Sequence, residues 1–126
     1  MTYVCGDILY FVTAKVAHSR PKPKFHVCIC AGSGLFLFIN SDPFEGSFRI
    51  TQADFDRLPK EESFVSCNAP VSYSASALST YNIDHKGRLT DDCLKRLMAH
   101  VEQSEVMTEE DIETVVSAIF FYLSRR

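Results

Sequence analysis

The chain of 126 residues contains no run of about 18 apolar residues, so it offers no helix able to span a membrane. Its first residues, Met1-Thr2-Tyr3-Val4-Cys5-Gly6-Asp7, lack a positive n-region and carry an acid in the apolar stretch. That argues against a secretory signal peptide. The chain also lacks a Cys-x-x-Cys pair, and with it the spacing of a zinc site. The dinucleotide-binding glycine fingerprint, the Walker loop, the paired-histidine zincin helix and the nucleophile elbow are all missing. Nucleotide-fuelled, metalloprotease and α/β-hydrolase chemistries lose most of their support. No internal repeat or low-complexity segment interrupts the chain. A net positive charge is missing too: the formal charge is −3 and the pI about 5.8. A whole-molecule basic field for duplex DNA is therefore excluded, though a local basic patch is not.

What is present is an ordinary globular composition, 46% hydrophobic and 23% charged, of a size suited to one domain over residues 1–126. The five cysteines are odd in number. Without a signal peptide they imply reduced thiols in a cytoplasm. Charge is unevenly spread. Arg20, Lys22 and Lys24 alternate with Pro21 and Pro23, whereas Glu102 to Glu113 holds six acids and no base.

The first two-thirds of the chain reads as β and the last third as α. Strands are expected over Asp7–Thr13, Phe25–Cys30 and Leu35–Asn40, with a short one over Ser47–Ile50 and another over Ser63–Asn68. Val71–Tyr73 extends or follows the last of these. Ala31-Gly32-Ser33-Gly34 marks a turn that makes the second and third strands a hairpin. Both strands are apolar on both faces, which suits a central place in a small closed barrel. Thr51-Gln52-Ala53-Asp54 has capping-box spacing and predicts a short helix closed by Pro59. Thr90 caps a helix whose apolar stripe is Cys93, Leu94, Leu97, Met98 and Val101. Thr108 caps a second, with Ile112, Val115, Val116, Ile119, Phe120 and Leu123 at helical spacing. The fold class is therefore α+β, a small antiparallel barrel followed by two C-terminal helices.

Chemistry concentrates between His18 and His26. Lys24 and His26 are two apart, so a strand turns both to one face. A cation beside a titratable imidazole, under a basic loop, suits a phosphodiester: Lys or Arg binds phosphate and a group with pKa near neutrality moves protons. A solvated loop with a partly buried histidine is the bland alternative. His26, Cys28 and Cys30 alternate onto one face as well, which makes a metal site with Cys5 or Cys67 imaginable. Free cysteines are more commonly core residues, and no metal or other cofactor is expected. Asn40-Ser41-Asp42 ends the third strand and can flank a site, or serve simply as turn residues.

The order of these landmarks resembles the PemK/MazF family of toxin ribonucleases. Gly6-Asp7-Ile8-Leu9-Tyr10-Phe11 is similar to the family's opening strand. Pro23 to Cys30 is similar to its Arg-Pro-x-hydrophobic second strand, and Leu37-Phe38-Ile39-Asn40-Ser41 to its third, which ends in Thr or Ser. Ser63 to Asn68 and Gly87-Arg88-Leu89-Thr90 match later landmarks, so the likeness covers about residues 5–105. Residues 106–126 are an addition to the family pattern. The resemblance implies an SH3-like barrel, a homodimer, an antitoxin protein as partner and metal-independent endoribonuclease action on single-stranded RNA. It assigns Lys24 to the family's catalytic Arg and Ser41 to its catalytic Thr or Ser. Lys24 stands where the family has Arg, and Phe25 where it has Pro. His26 is the acid–base candidate from the residues themselves. Arg20 and Lys22 are expected to hold the RNA backbone and Tyr73 to stack a base. The alternative is a non-catalytic SH3-like interaction module that binds a protein through its C-terminal helices. A third reading is a nucleic-acid-binding regulator that does not cleave.

Overall fold

The computed structural model describes residues 3–16 and 19–126; His18 lies outside them. Seven strands form one antiparallel sheet: β1 Asp7–Thr13, β2 Lys22–Cys30, β3 Leu35–Asn40, β4 Phe48–Thr51, β5 Glu62–Val65, β6 Val71–Ser72 and β7 Asp84–Arg88. The helices are α1 Ala75–Thr80, α2 Asp91–Glu102 and α3 Glu109–Ser124. The class is α+β, with α2 and α3 at the C-terminus. The strand order β4-β5-β3-β2-β1-β7 places the β2–β3 hairpin centrally, as its two apolar faces require. β6 adds to the other end of β3.

The expected closed barrel is instead a curled half-barrel. Among the described residues β4 and β7 form no ladder with one another. The larger core lies on one face of the sheet. There Ile8, Val27, Ile29, Leu37 and Ile50 pack against Leu94, Leu97, Val101, Val115 and Ile119 of α2 and α3. The opposite face carries a smaller cluster of Leu9, Phe11, Cys28, Phe36 and Tyr73, with Tyr81 and Ile83 beside it.

Local chemistry explains the departures from expectation. β2 begins three residues early, at Lys22, because it pairs with β1 as far as Thr13↔Lys22. Its pairing with β3 starts only at Phe25↔Ile39. Pro23 therefore sits on a one-sided stretch, where a missing N–H does least harm. The helix expected after Thr51 is a turn. Half of the box closes, with the Thr51 N–H donating to the Asp54 carboxylate at 3.0 Å, but the Thr51 hydroxyl accepts from the Ala53 N–H and not from Asp54. Asp54 is then buried against Arg96 and Phe55 enters the core, which stops propagation. α2 and α3 start where their caps predict. Thr90 Oγ1 accepts from the Cys93 N–H and Thr108 Oγ1 from the Asp111 N–H, each at 3.1 Å.

Candidate nucleic-acid interface

The end of β2 nearest the β1–β2 loop gathers the basic residues. Arg20 and Lys22 are exposed. Lys24 is half-buried, donates to the Asn40 side chain and holds its Nζ 5.4 Å from the Phe38 ring centre. Burial, with Lys22 nearby, lowers its pKa. The partner is Asn40 rather than Ser41 because of register. Phe25↔Ile39 and His26↔Phe38 extend to put Lys24 opposite Asn40. Ser41, one residue on, lies past the end of β3. Ser41 is exposed in the turn after β3, and among the described residues it shares no hydrogen bond with Lys24 or His26. The three residues expected to act together are thus not gathered into one pocket.

His26 is completely buried. Its ring stacks on Phe11 with centroids 3.9 Å apart and planes 10° from parallel. Nδ1 lies 2.9 Å from the Lys24 carbonyl, which can only accept, so Nδ1 carries the proton. Nε2 must then accept from the Tyr73 hydroxyl at 2.9 Å. The Thr13 hydroxyl donates in turn to Tyr73 at 2.7 Å, and accepts from the Lys15 N–H. This chain fixes a neutral imidazole. Burial lowers the His26 pKa to about 4, and raises that of Tyr73 to about 12. Tyr73 does not present a free ring for stacking, since only 3% of it is exposed and Phe11, Phe36 and Tyr81 surround it.

The open aromatic surface is elsewhere. A groove of about 580 Å³ runs beside the basic loop, lined by Tyr10, Phe11, Pro21, Pro23, Tyr81 and Asp84. At Tyr81 and Asn82 it meets a second trough of about 750 Å³ that reaches Tyr3 and Leu78. Lysines surround it: Lys86 Nζ lies 5.6 Å from the Tyr10 ring and Lys15 Nζ 5.4 Å from that of Tyr73. Lys22, exposed, lies in sequence between the two lining prolines. Tyr10 and Tyr81 could have been suggested by their type alone. What places them together is the β1–β7 ladder, which has no sequence signal.

The imagined metal site does not assemble. A bulge between Cys28 and Cys30 breaks the alternation that was to align them, leaving Cys28 with the aromatic cluster and Cys30 on the helix-covered face. Among the described residues no group of three or more potential ligands is placed to hold an ion.

A second polar cluster sits at the other end of β1, and sequence reasoning passed over it. The buried Asp7 carboxylate accepts from Arg88 Nε at 2.9 Å through one oxygen, while His85 Nε2 lies 3.4 Å from the other. Asp7 was visible only as the residue that opens a strand. Comparison of the chain with protein-family models, curated proteins and solved structures finds no match, so the site stands on its own geometry.

Proposed function

We propose that the protein binds single-stranded RNA along the lysine-rimmed aromatic groove and cleaves it, as the toxin of a toxin–antitoxin or related defence module. One observation carries this reading. In a chain of net charge −3, Lys15, Lys24 and Lys86 each set Nζ over an aromatic ring, that of Tyr73, Phe38 and Tyr10 in turn, and exposed Lys22 lies in sequence between two prolines that line the groove. Stacking faces beside mobile cations are what single-stranded nucleic acid needs, because every base has a π-face and every linkage a charge. The resemblance to PemK/MazF ribonucleases supplies the reaction: the ribose 2′-oxygen attacks the adjacent phosphorus and the 5′-oxygen leaves. Lys24 is the cation that neutralises charge developing on the phosphate. His26, neutral and enclosed, positions the strand that carries Lys24 rather than moving a proton. Ser41 and Asn40 mark the rim beyond it. An antitoxin partner and a homodimer belong to the same proposal.

Incubation of the purified protein with mixed-sequence single-stranded RNA in EDTA tests the reading. Cleavage by the wild type and its loss in Lys24→Ala is expected. A folded wild type that neither binds nor cuts RNA overturns it. The second reading, an interaction module, draws on Phe120 and Phe121 of α3, which are 62% and 61% exposed. Protein capture through α3 without RNA binding is the result that favours it.

A further inference from the structure

We propose that Asp7, His85 and Arg88 form the proton-transfer and phosphate-holding site of this chain, with His85 acting on the ribose 2′-hydroxyl and Arg88 on the phosphate. The proposal rests on the RNA reading above and names the acid–base group that His26 cannot be.

The geometry is made by a bulge. β1 and β7 pair as Asp7↔Arg88 and Ile8↔Gly87, then slip to Leu9↔His85. In a regular strand His85 and Arg88, three apart, would point to opposite faces. The extra residue, Lys86, reverses the alternation and brings both side chains onto Asp7. Gly87 makes this possible with φ of +140°, where a Cβ would also lie 2.9 Å from the Phe55 ring. β7 is the sheet's last strand, so the cluster opens to solvent on one side.

Each member is placed for a role. The Asp7 side chain is 4% exposed; Oδ1 accepts from Arg88 Nε and Oδ2 from the Val4 N–H at 2.9 Å, with His85 Nε2 3.4 Å from Oδ2. A buried carboxylate held in this way orients the side chains around it. The His85 and Arg88 side chains are 43% and 42% exposed, so their outer atoms reach solvent. With Nε2 towards Asp7, Nδ1 is the ring nitrogen left for a substrate. Arg88 spends Nε on Asp7 and sets Nη1 3.5 Å from the Tyr122 hydroxyl, which leaves Nη2 for a phosphate oxygen. A structural clamp would need only the Arg88–Asp7 pair. An exposed imidazole 3.4 Å from the second oxygen sets a candidate base beside an orienting carboxylate.

The site also continues the groove. Asp84 lines the groove opposite Tyr10, and His85 is the next residue along β7. Lys24 pairs with Phe11, and His85 with Leu9 two residues away on β1, so the register places both on one face. His85 Nδ1 takes the 2′-hydroxyl proton as the O2′–P bond forms. The P–O5′ bond breaks, the leaving 5′-oxygen takes a proton from water, and the product ends in a 2′,3′-cyclic phosphate.

Cleavage of mixed-sequence RNA in EDTA, measured from pH 5 to 9 for wild type, His85→Gln and Arg88→Lys, tests this, alongside binding of the same sequence carrying 2′-O-methyl groups. His85→Gln should lower kcat by about 100-fold or more and leave binding within about twofold. Thermal melts confirm that both variants fold. Full activity in His85→Gln, with none in Lys24→Ala, overturns this inference and keeps the ribonuclease reading. Where the wild type does not cleave, titration with uridine 3′-monophosphate decides. A shift of the His85 imidazole resonances that Arg88→Lys abolishes keeps the phosphate site and fails the ribonuclease reading alone. No shift overturns both.

Discussion

His26 shows how burial changes the meaning of a residue. Its alternation with Lys24 is legible, because both lie on one strand. Its exposure is not, because the cover comes from Tyr73 in the segment after β6 and from Phe11 on β1. Its folded pKa of about 4 lies below the ordinary value of 6.5. The neutral form is favoured in the fold, so this stabilisation is full above pH 6.5 and is lost as pH falls towards 4. A shift of this size corresponds to about 3 kcal/mol. Urea unfolding at pH 7, 5.5 and 4 should show the midpoint falling mainly across that window. An acid-insensitive midpoint between pH 6.5 and 4 contradicts the buried neutral imidazole. Tyr73→Phe leaves Nε2 buried without its donor and Thr13 without its acceptor. It should destabilise the protein by about 1–3 kcal/mol at pH 7, measured by the same denaturation.

At the scale of the element, legibility followed the strength of the local signal. α2 and α3 carry apolar stripes and threonine caps, and their N-termini fall where the caps sit. β1 and β3 match their expected limits, because aromatic and branched residues fill them. β7 was invisible as a strand. Asp-His-Lys-Gly-Arg has no strand former, and β1 alone holds it in the sheet. α1 was missed too, since Ala-Ser-Ala-Leu-Ser-Thr carries no helical period and its cap, Ser74, resembles any loop serine. The second candidate cluster depends on β7, which is why it could not be read from sequence. The β2–β3 turn offers a test of the hairpin. Gly34 has φ of +64° and a Cβ there would come 2.0 Å from the Tyr73 carbonyl oxygen. That oxygen's residue donates its N–H to Gly34 at 2.9 Å, so the two backbones are fixed together. Gly34→Ala should destabilise the fold by more than the ~1 kcal/mol of a left-handed alanine alone, and Gly32→Ala, with open space around it, by much less. Comparable melting temperatures for the two variants would show that β6 does not clamp the turn.

The whole molecule divides its labour between the two faces of one sheet. Helices α2 and α3 bury one face and give the domain its main core. The other face is only partly covered, by α1, Tyr73 and Tyr81, and the grooves open there. Among the described residues no helix is long and apolar enough to cross a membrane. The division was half legible. Two doubly apolar strands implied a sheet covered on both sides, but the half-barrel curl depends on β4 and β7 staying apart, which no local pattern encodes. Charge makes the division functional. The acids of α3's first turn, Glu109, Glu110 and Asp111, belong to the helix layer, whereas Lys15, Lys24 and Lys86 lie over aromatic rings of the sheet, with Lys86 also 2.6 Å from Asp84. Net charge therefore conceals a local cationic surface. If RNA lies across it, binding releases counterions in proportion to the phosphates neutralised. Contact by Lys15, Lys22, Lys24 and Lys86 predicts a slope near −3 in a plot of log affinity against log salt, from about −0.7 per contact on a single strand. Lys22→Ala and Lys86→Ala should each reduce that slope by roughly 0.7, equally for all RNA sequences. Fluorescence anisotropy between 50 and 300 mM KCl measures it. A slope near zero in the wild type would mean that the groove serves an uncharged or protein ligand.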